Sequence, residues 1–299
     1  MTAARSKASD GSEASGQRGV LYVVATPIGN LGDVTLRALE VLRSVPLIAA
    51  EDTRHTRRLL DRHAVTTRST SYHAQSDASR TTALLEHLRG GADLALVTDA
   101  GTPAVSDPGA DLVAAWAAEG GSVVPIPGAS AVLAAVAASG VAGPRWAFEG
   151  FLPRSGRERG ERLRRIADDE RGTVVFEAPG RVATTLRDLA EACGGDRPAA
   201  VCRELTKLHE TIVGGSLFEL AEAAAWGGIP PRGEFVLVVG TWPDGRPVSA
   251  EDEVDALEAA RAAVERLVAA GTARGEAAKQ VAAETGIARR QLYGADTVR

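Results

Sequence analysis

The residues best equipped for chemistry in this chain gather where apolar runs end. Leu94-Ala95-Leu96-Val97 leads into Thr98-Asp99-Ala100-Gly101-Thr102-Pro103-Ala104-Val105-Ser106-Asp107-Pro108-Gly109, a loop with two carboxylates among several hydroxyls. A strand-to-helix connection needs only about two to six residues. The surplus suits a loop shaped around a small ligand at the carboxyl end of a strand, where open α/β sheets place their ligands. Asp107 reads as the N-cap of the next helix, with Pro108 at its first position. The plainer alternative is a polar loop with a good helix cap.

A second strand end carries Glu51-Asp52, followed by Arg54, Arg57 and Arg58 at helical spacing. Two readings are open. One is an acidic helix start that complements the dipole, with a solvated basic face behind it. The other is a polar wall beside an active site, extended by His73 and Gln75. A third polar cluster is Arg203-Glu204-Leu205-Thr206-Lys207-Leu208-His209-Glu210. Lysine occurs only at Lys7, Lys207 and Lys279, so Lys207 stands out where arginine is the default cation. Several chemistries are excluded. The glycines of Thr26–Asp33 do not make G-x-G-x-x-G, and no lysine completes G-x-x-x-x-G-K-[ST]. Cys193 and Cys202 form neither a disulfide framework nor a C-x-x-C metal pair, so no metal is expected and a reducing cytoplasm fits.

These groups need elements to hold them. The chain has 299 residues, a net charge of −5 and 44% hydrophobic residues, enough for about two domains with their own cores. Mild acidity argues against an obligate nucleic-acid coat, while leaving room for a local basic face. Met1 to Arg18 lacks an apolar h-region and reads as a disordered tail. Gly120–Pro144 carries no charge, but its prolines and glycines break it into a buried strand, a tight turn and a core helix. No membrane span is expected.

Val20–Ala25, Pro46–Ala50, Leu94–Val97 and Val123–Ile126 read as strands covered on both faces. The helices between them include one with Leu36, Leu39, Leu42 and Val45 on one face, and one from Ser79 to Gly91 with Leu84, Leu85 and Leu88 inward. In a parallel sheet the loops Thr26–Asp33, Thr98–Gly109 and Pro127–Ala131 emerge on one edge, which makes that edge the ligand site. Beyond Phe148 strands follow one another more directly, at Thr173–Phe176, Ala199–Cys202, Thr211–Val213 and Gly233–Gly240, which favours a mixed second sheet. The expected divisions are a tail at 1–18, α/β domains at 19–146 and 147–241, and a linker with helices at 242–299. There Ser249 caps a long Ala-rich helix, and Glu276–Tyr293 has helix-turn-helix spacing.

With these blocks assembled, the chain resembles the tetrapyrrole-methylase superfamily, and within it the bacterial small-subunit ribosomal RNA cytidine 2′-O-methyltransferases. The likeness rests on TPIGNLGD (Thr26–Asp33), EDTRHTRRLL (Glu51–Leu60), DAGTPAVSDPG (Asp99–Gly109), PGAS (Pro127–Ser130), RELTKLHE (Arg203–Glu210) and GEFVLVV (Gly233–Val239). It implies two α/β domains with a cleft between them that binds S-adenosyl-L-methionine, and a cytoplasmic homodimer acting on small-subunit ribosomal RNA within the assembled subunit. The cofactor would meet Pro27, Gly29 and Asn30 on the first loop, and Asp99, Ala100, Gly101, Thr102 and Ser106 on the second. It would also meet Pro127, Gly128, Ser130 and Ala131, and Glu177, Ala178 and Pro179 from the second domain. The family's Tyr-Glu-Ser-Pro-His is here Phe176-Glu177-Ala178-Pro179-Gly180, which leaves one polar or aromatic contact open.

A ribose hydroxyl is a poor nucleophile while neutral, so a nearby base would help by roughly 10²–10⁴. Glu51, Asp52, Asp99, Glu204 and Glu210 are the candidates, with Glu51, Asp52, Glu204 and Lys207 taken as the catalytic set. Arg54, Arg57 and Arg203 are the expected RNA phosphate contacts. A corrin or tetrapyrrole C-methyltransferase is the alternative activity.

Overall fold

The computed structural model describes residues 18–76, 78–241 and 250–292. The expected tail up to Gln17 and the expected cap Ser249 lie outside these residues.

Five parallel strands make the first sheet: β1 (Val20–Val24), β2 (Leu47–Ala50), β3 (Ser69–Ser71), β4 (Leu94–Val97) and β5 (Ser122–Ile126), in the order β3-β2-β4-β1-β5. Their connections carry α1 (Leu36–Ser44), α2 (Thr53–Arg62), α3 (Ala78–Arg89) and α4 (Ala110–Ala118), with α5 (Ala131–Ser139) after β5. Each face is covered. Leu39, Leu42 and Val45 pack on Val24 and Ile48, while Leu84, Leu88, Leu112 and Trp116 pack on Leu21 and Leu94. The apolar runs of β1 and β4 follow from this two-sided burial. Leu36 departs from the expected inner face: it follows the cap Thr35 and is 79% exposed, so α1 is anchored by Ala38, Leu39 and Leu42.

The second sheet is mixed. It contains β6 (Trp146–Phe151), β7 (Gly172–Glu177), β8 (Pro198–Arg203), β9 (Thr211–Ser216) and β10 (Phe235–Val239), in the order β6-β7-β10-β8-β9. Only β6 and β7 run parallel; β10 is antiparallel to both neighbours and buried along its length. The helices α6 (Gly156–Asp168), α7 (Val182–Cys193) and α8 (Leu217–Ala225) cover one face. The other face meets the first half of the chain: Ile28, Val132 and Ala135 share one core with Val174, Ala200 and Val238. Through that shared core the described residues up to Thr241 form a single compact unit. The expected division between 146 and 147 falls inside β6.

A second unit holds α9 (Ala250–Ala269), α10 (Arg274–Thr285) and α11 (Arg289–Leu292). Ala260, Val264, Ala277, Val281 and Leu292 close its small core. Gly286, at φ +74°, ends α10 as a left-handed cap and turns the chain into α11, which is a single turn. Among the described residues no helix is long and apolar enough to cross a membrane.

Candidate active site

A cavity of about 410 Å³ opens between the carboxyl end of the first sheet and the second sheet. Its first wall is the loop after β4. That loop is tied to the loop after β1 by a two-bond bridge: Thr26 N–H donates to the Gly101 carbonyl at 2.8 Å and Gly101 N–H to the Thr26 carbonyl at 3.1 Å. The Thr26 hydroxyl also donates to the Thr98 carbonyl at 3.0 Å. Ala104 (φ +68°), Ser106 (φ +62°) and Gly109 (φ +123°) then hold the chain in left-handed conformations. Such conformations are costly for Ala and Ser and concentrate at sites where geometry matters more than stability.

This backbone overturns the expected cap. Helix α4 starts at Ala110 behind Gly109, with no side-chain cap, and Pro108 lies before it. Asp107 lines the cavity instead. It does so because the positive-φ residues on both sides swing it away from the helix and toward the ends of β2 and β4. There it joins Glu51 and Asp99. Glu51 accepts from the Thr98 hydroxyl at 2.6 Å and from Asp99 N–H at 3.2 Å. Asp99 accepts from Asp52 N–H at 3.0 Å. Burial and the Glu51 charge push the Asp107 carboxyl up to about 6, with the Thr98 hydroxyl and Asp99 acting in opposite directions on it. Burial also raises Asp99, partly offset by its bond from Asp52.

Ile28, Ser130 and Ala131 form the next part of the lining. Ser130 caps α5, its hydroxyl accepting from Leu133 N–H at 3.4 Å, and the helix start presents backbone N–H groups and a positive dipole end. Opposite lie Phe151, Phe176 and Glu177–Pro179. Phe176 packs edge-on between Phe148 and Phe151, with centroids 4.9 and 5.6 Å away. The Glu177 carboxylate turns inward to Thr185 (2.6 Å), Ala178 N–H (2.7 Å) and Arg181 (3.1 Å), so its segment meets the cavity without a free charge.

Cys202, Leu205 and Gly233–Val236 complete the lining. Burial pushes the Cys202 thiol up to about 11, which leaves it inert as a nucleophile. Beside it the loop after β8 is strained, with Glu204 at φ +52° and Thr206 at φ +68°. Its Lys207 ammonium is clamped at 2.9 Å by both Glu204 and Glu234. Burial opposes the charge on Lys207, but the two carboxylates outweigh it and the net shift is upward. The same contact holds Glu204 below the usual carboxylate range.

One edge acidic, one wall aromatic and apolar, and a helix start between them suit a molecule with a flat ring, a cationic centre and a carboxylate. S-adenosylmethionine is such a molecule. The profile of the Tetrapyrrole (Corrin/Porphyrin) Methylases matches residues 20–221. A Synechocystis relative named ribosomal RNA small subunit methyltransferase I is 47% identical over 276 residues, 92% of this chain and 96% of its own. The chain belongs to that methyltransferase family. Relatives of the same name from Vibrio cholerae (43% identical, 78% of this chain, 81% of theirs) and Bacillus subtilis (40%, 93% and 94%) agree. Among solved structures, cobalt precorrin-4 methyltransferase aligns with a TM-score of 0.57 at 20% identity, covering 74% of this chain and 94% of its own. Uroporphyrin-III C-methyl transferase from Thermus thermophilus, complexed with S-adenyl homocysteine, gives 0.54 at 21% over 74% and 97%. These two likenesses carry the fold.

Family membership sharpens where each expected residue falls. Ala100, Gly101, Thr102, Ser106, Ser130 and Ala131 line the cavity, as does the segment Glu177–Pro179. Pro27, Gly29, Asn30, Asp99, Pro127 and Gly128 are not among the lining residues. Asn30 caps the turn Leu31–Asp33 by accepting from Gly32 N–H at 3.0 Å. Gly128 lets two loops touch, since a Cβ there would lie 2.9 Å from that of Ala25.

Two expectations are corrected. Asp52 is a poor base: it caps α2 through Arg54 N–H at 2.8 Å and pairs with the Arg54 guanidinium, which holds its carboxyl far below the usual range. Arg203 is 5% exposed, and its guanidinium donates to the Arg232 and His209 carbonyls at 2.7 and 3.2 Å. It braces the second sheet and offers no phosphate contact. Arg54 and Arg57 are exposed on α2 with Arg58 and Arg62, where Arg57 pairs with Asp61 at 2.8 Å.

Sequence reasoning missed Asp107, Phe151 and Phe176. The aromatic pair carried a weak signal, as the chain has only five phenylalanines and three lie together here.

Proposed function

We propose that this protein uses S-adenosylmethionine to methylate the 2′-oxygen of a cytidine ribose in small-subunit ribosomal RNA, within the assembled subunit. The observation that carries the reading is the match to ribosomal RNA methyltransferases along nearly the whole chain, joined to a cavity whose lining fits the donor. The basic face of α2, rising from the acidic edge of that cavity, supports an acceptor that carries backbone phosphates. The resemblance set out above supports a homodimer and a cytoplasmic location.

When bound, the donor supplies an already activated sulfonium methyl group. The chain's residues then have mainly to align, desolvate and take up a proton, and alignment alone can contribute about 7–11 kcal/mol. The start of α5 at Ser130–Ala131 suits the donor carboxylate, Phe176 and Pro179 a flat ring, and the acidic edge a cationic centre. The exposure of Arg54 and Arg58 on α2 supports a role for them in holding backbone phosphates as the acceptor ribose enters. The clamp of Lys207 between Glu204 and Glu234 fixes the far lip of the cavity.

The test is incorporation of labelled methyl groups into purified small subunits from a strain lacking the enzyme, followed by mapping of the methylated ribose. Label at a cytidine 2′-oxygen is expected. Label entering uroporphyrinogen but not RNA would move the assignment to the C-methyltransferase branch.

A further inference from the structure

We propose that Phe151 is the platform on which the base of the acceptor nucleotide stacks while its ribose enters the cavity, a role that rests on the methyl-transfer reading above. A bulge puts the ring there. Strand β6 pairs with β7 as Phe148↔Val174, Gly150↔Val175 and Phe151↔Phe176, so Glu149 is an extra residue in the register. Val174 faces the core shared by the two sheets, whereas Val175 faces the helices. Strict alternation from Phe148 would send residue 151 to the helix side. The inserted residue reverses this, because a one-residue slip in a strand exchanges its faces. Phe151 therefore lies on the same side as Phe148, edge-on to Phe176 at 5.6 Å, and lines the cavity. Leu152 takes the other face and is buried against the helices.

The ring is open to solvent, and its backbone is braced. Phe151 is 56% exposed, while Phe176 beside it is less so. Gly150 has φ +63°, and a Cβ there would lie 3.1 Å from the Ser106 hydroxyl, so the bulge and the loop after β4 press together. Before Phe151, Arg162 donates to the Glu149 carbonyl at 3.1 Å and pairs with its carboxylate at 2.7 Å. After it, Arg181 donates to the Leu152 carbonyl at 2.8 Å and Arg159 to the Pro153 carbonyl at 2.9 Å. A ring held this way loses little freedom when a ligand stacks on it. Nucleobases splayed from their strand bind to such rings. Phe176 and Pro179, the less exposed pair, suit the flat ring of the donor. The acceptor's 2′-oxygen must reach inward while its base stays outside, against the ring most open to solvent.

The experiment compares the wild type with Phe151→Ala, Phe151→Leu and Phe151→Tyr, with unmethylated small subunits as the acceptor. Methyl transfer gives kcat/KM for the subunit, calorimetry gives S-adenosylhomocysteine affinity, and thermal melts report the fold. Leucine keeps apolar bulk but has no π face, which separates stacking from simple covering. Expected are a kcat/KM lower by roughly 10- to 100-fold in Phe151→Ala, a similar loss in Phe151→Leu, and recovery to within about threefold of the wild type in Phe151→Tyr. S-adenosylhomocysteine affinity and melting temperature should stay close to the wild type in all three. Unchanged kcat/KM in Phe151→Ala, full activity in Phe151→Leu, or a Tyr variant no better than the Leu variant would each overturn the proposal. A parallel loss of S-adenosylhomocysteine affinity would overturn it too and assign the ring to the donor. A wild type that labels no ribosomal RNA would overturn the functional reading itself, a failure visible before any substitution is made.

Discussion

The stem of Lys207 lies across Gly29: a Cβ on Gly29 would come within 2.5 Å of Lys207 Cγ and 2.9 Å of the Thr206 hydroxyl. One loop of the first sheet and one of the second therefore touch through the absence of a side chain. Gly29→Ala should push Lys207 out of its clamp between Glu204 and Glu234. Overpacking of this kind costs about 1–3 kcal/mol, so a lower melting temperature is expected together with at least a tenfold loss of turnover. Lys207→Arg should fail similarly, because the broader guanidinium does not reproduce a thin stem over glycine. Full activity in both variants would show that this contact plays no part in the reaction.

Asp107 carries a prediction about stability. Its folded carboxyl is raised to about 6 from an ordinary 3.8. A raised acid stabilises the fold while protonated, fully so below the unfolded value, and this contribution is lost as pH climbs through the folded value. Removing the charge should therefore help at neutral pH. Asp107→Asn is expected to be more stable than the wild type at pH 7 by on the order of 1–2 kcal/mol. The gain should shrink between pH 6 and pH 4, as followed by urea unfolding. A destabilised Asn variant at pH 7 would contradict the assigned environment.

The arginines separate into two kinds. Arg54→Ala and Arg58→Ala on the open face of α2 should weaken binding to small subunits, and each should lower the salt dependence of binding by about one in the log–log slope. Their melting temperatures should stay near the wild type. Arg203→Ala should do the reverse. It removes a buried side chain and its part-buried bonds to the Arg232 and His209 carbonyls, so the melting temperature falls while the salt slope is kept. Binding titrations at several salt concentrations, beside thermal melts, distinguish the two.

Thr185 tests the second-sheet wall. It is fully buried, donates to Glu177 at 2.6 Å and accepts from Arg159 at 3.0 Å. Thr185→Ala takes one buried bond from each partner, at a cost of about 1–3 kcal/mol. Because Glu177–Pro179 lines the cavity, weaker S-adenosylhomocysteine binding is expected as well. Thr185→Ser should restore affinity, which calorimetry reads directly.

Much of this molecule was determined by the sequence alone. The unbroken apolar runs of β1, β4 and β10 demand burial on both faces, which requires layered sheets with helices outside. The long polar loops at strand ends locate the ligand edge, because in a parallel sheet those ends share one side. Six motif blocks in order were enough to place the family. The tertiary structure alone decided which polar residues face the cavity. Asp107 and Asp52 look alike in sequence, each an acid before a helix. One is a true cap and the other is not, since left-handed backbone at Ser106 and Gly109 turns Asp107 inward. Arg203 and Arg54 likewise share a residue type and a polar neighbourhood. Burial against the Arg232 and His209 carbonyls makes the first a brace, while the second is exposed on α2 and paired with Asp52. Local patterns report which residue types are available. Direction and burial depend on contacts between segments far apart in the chain, and only the assembled fold supplies them.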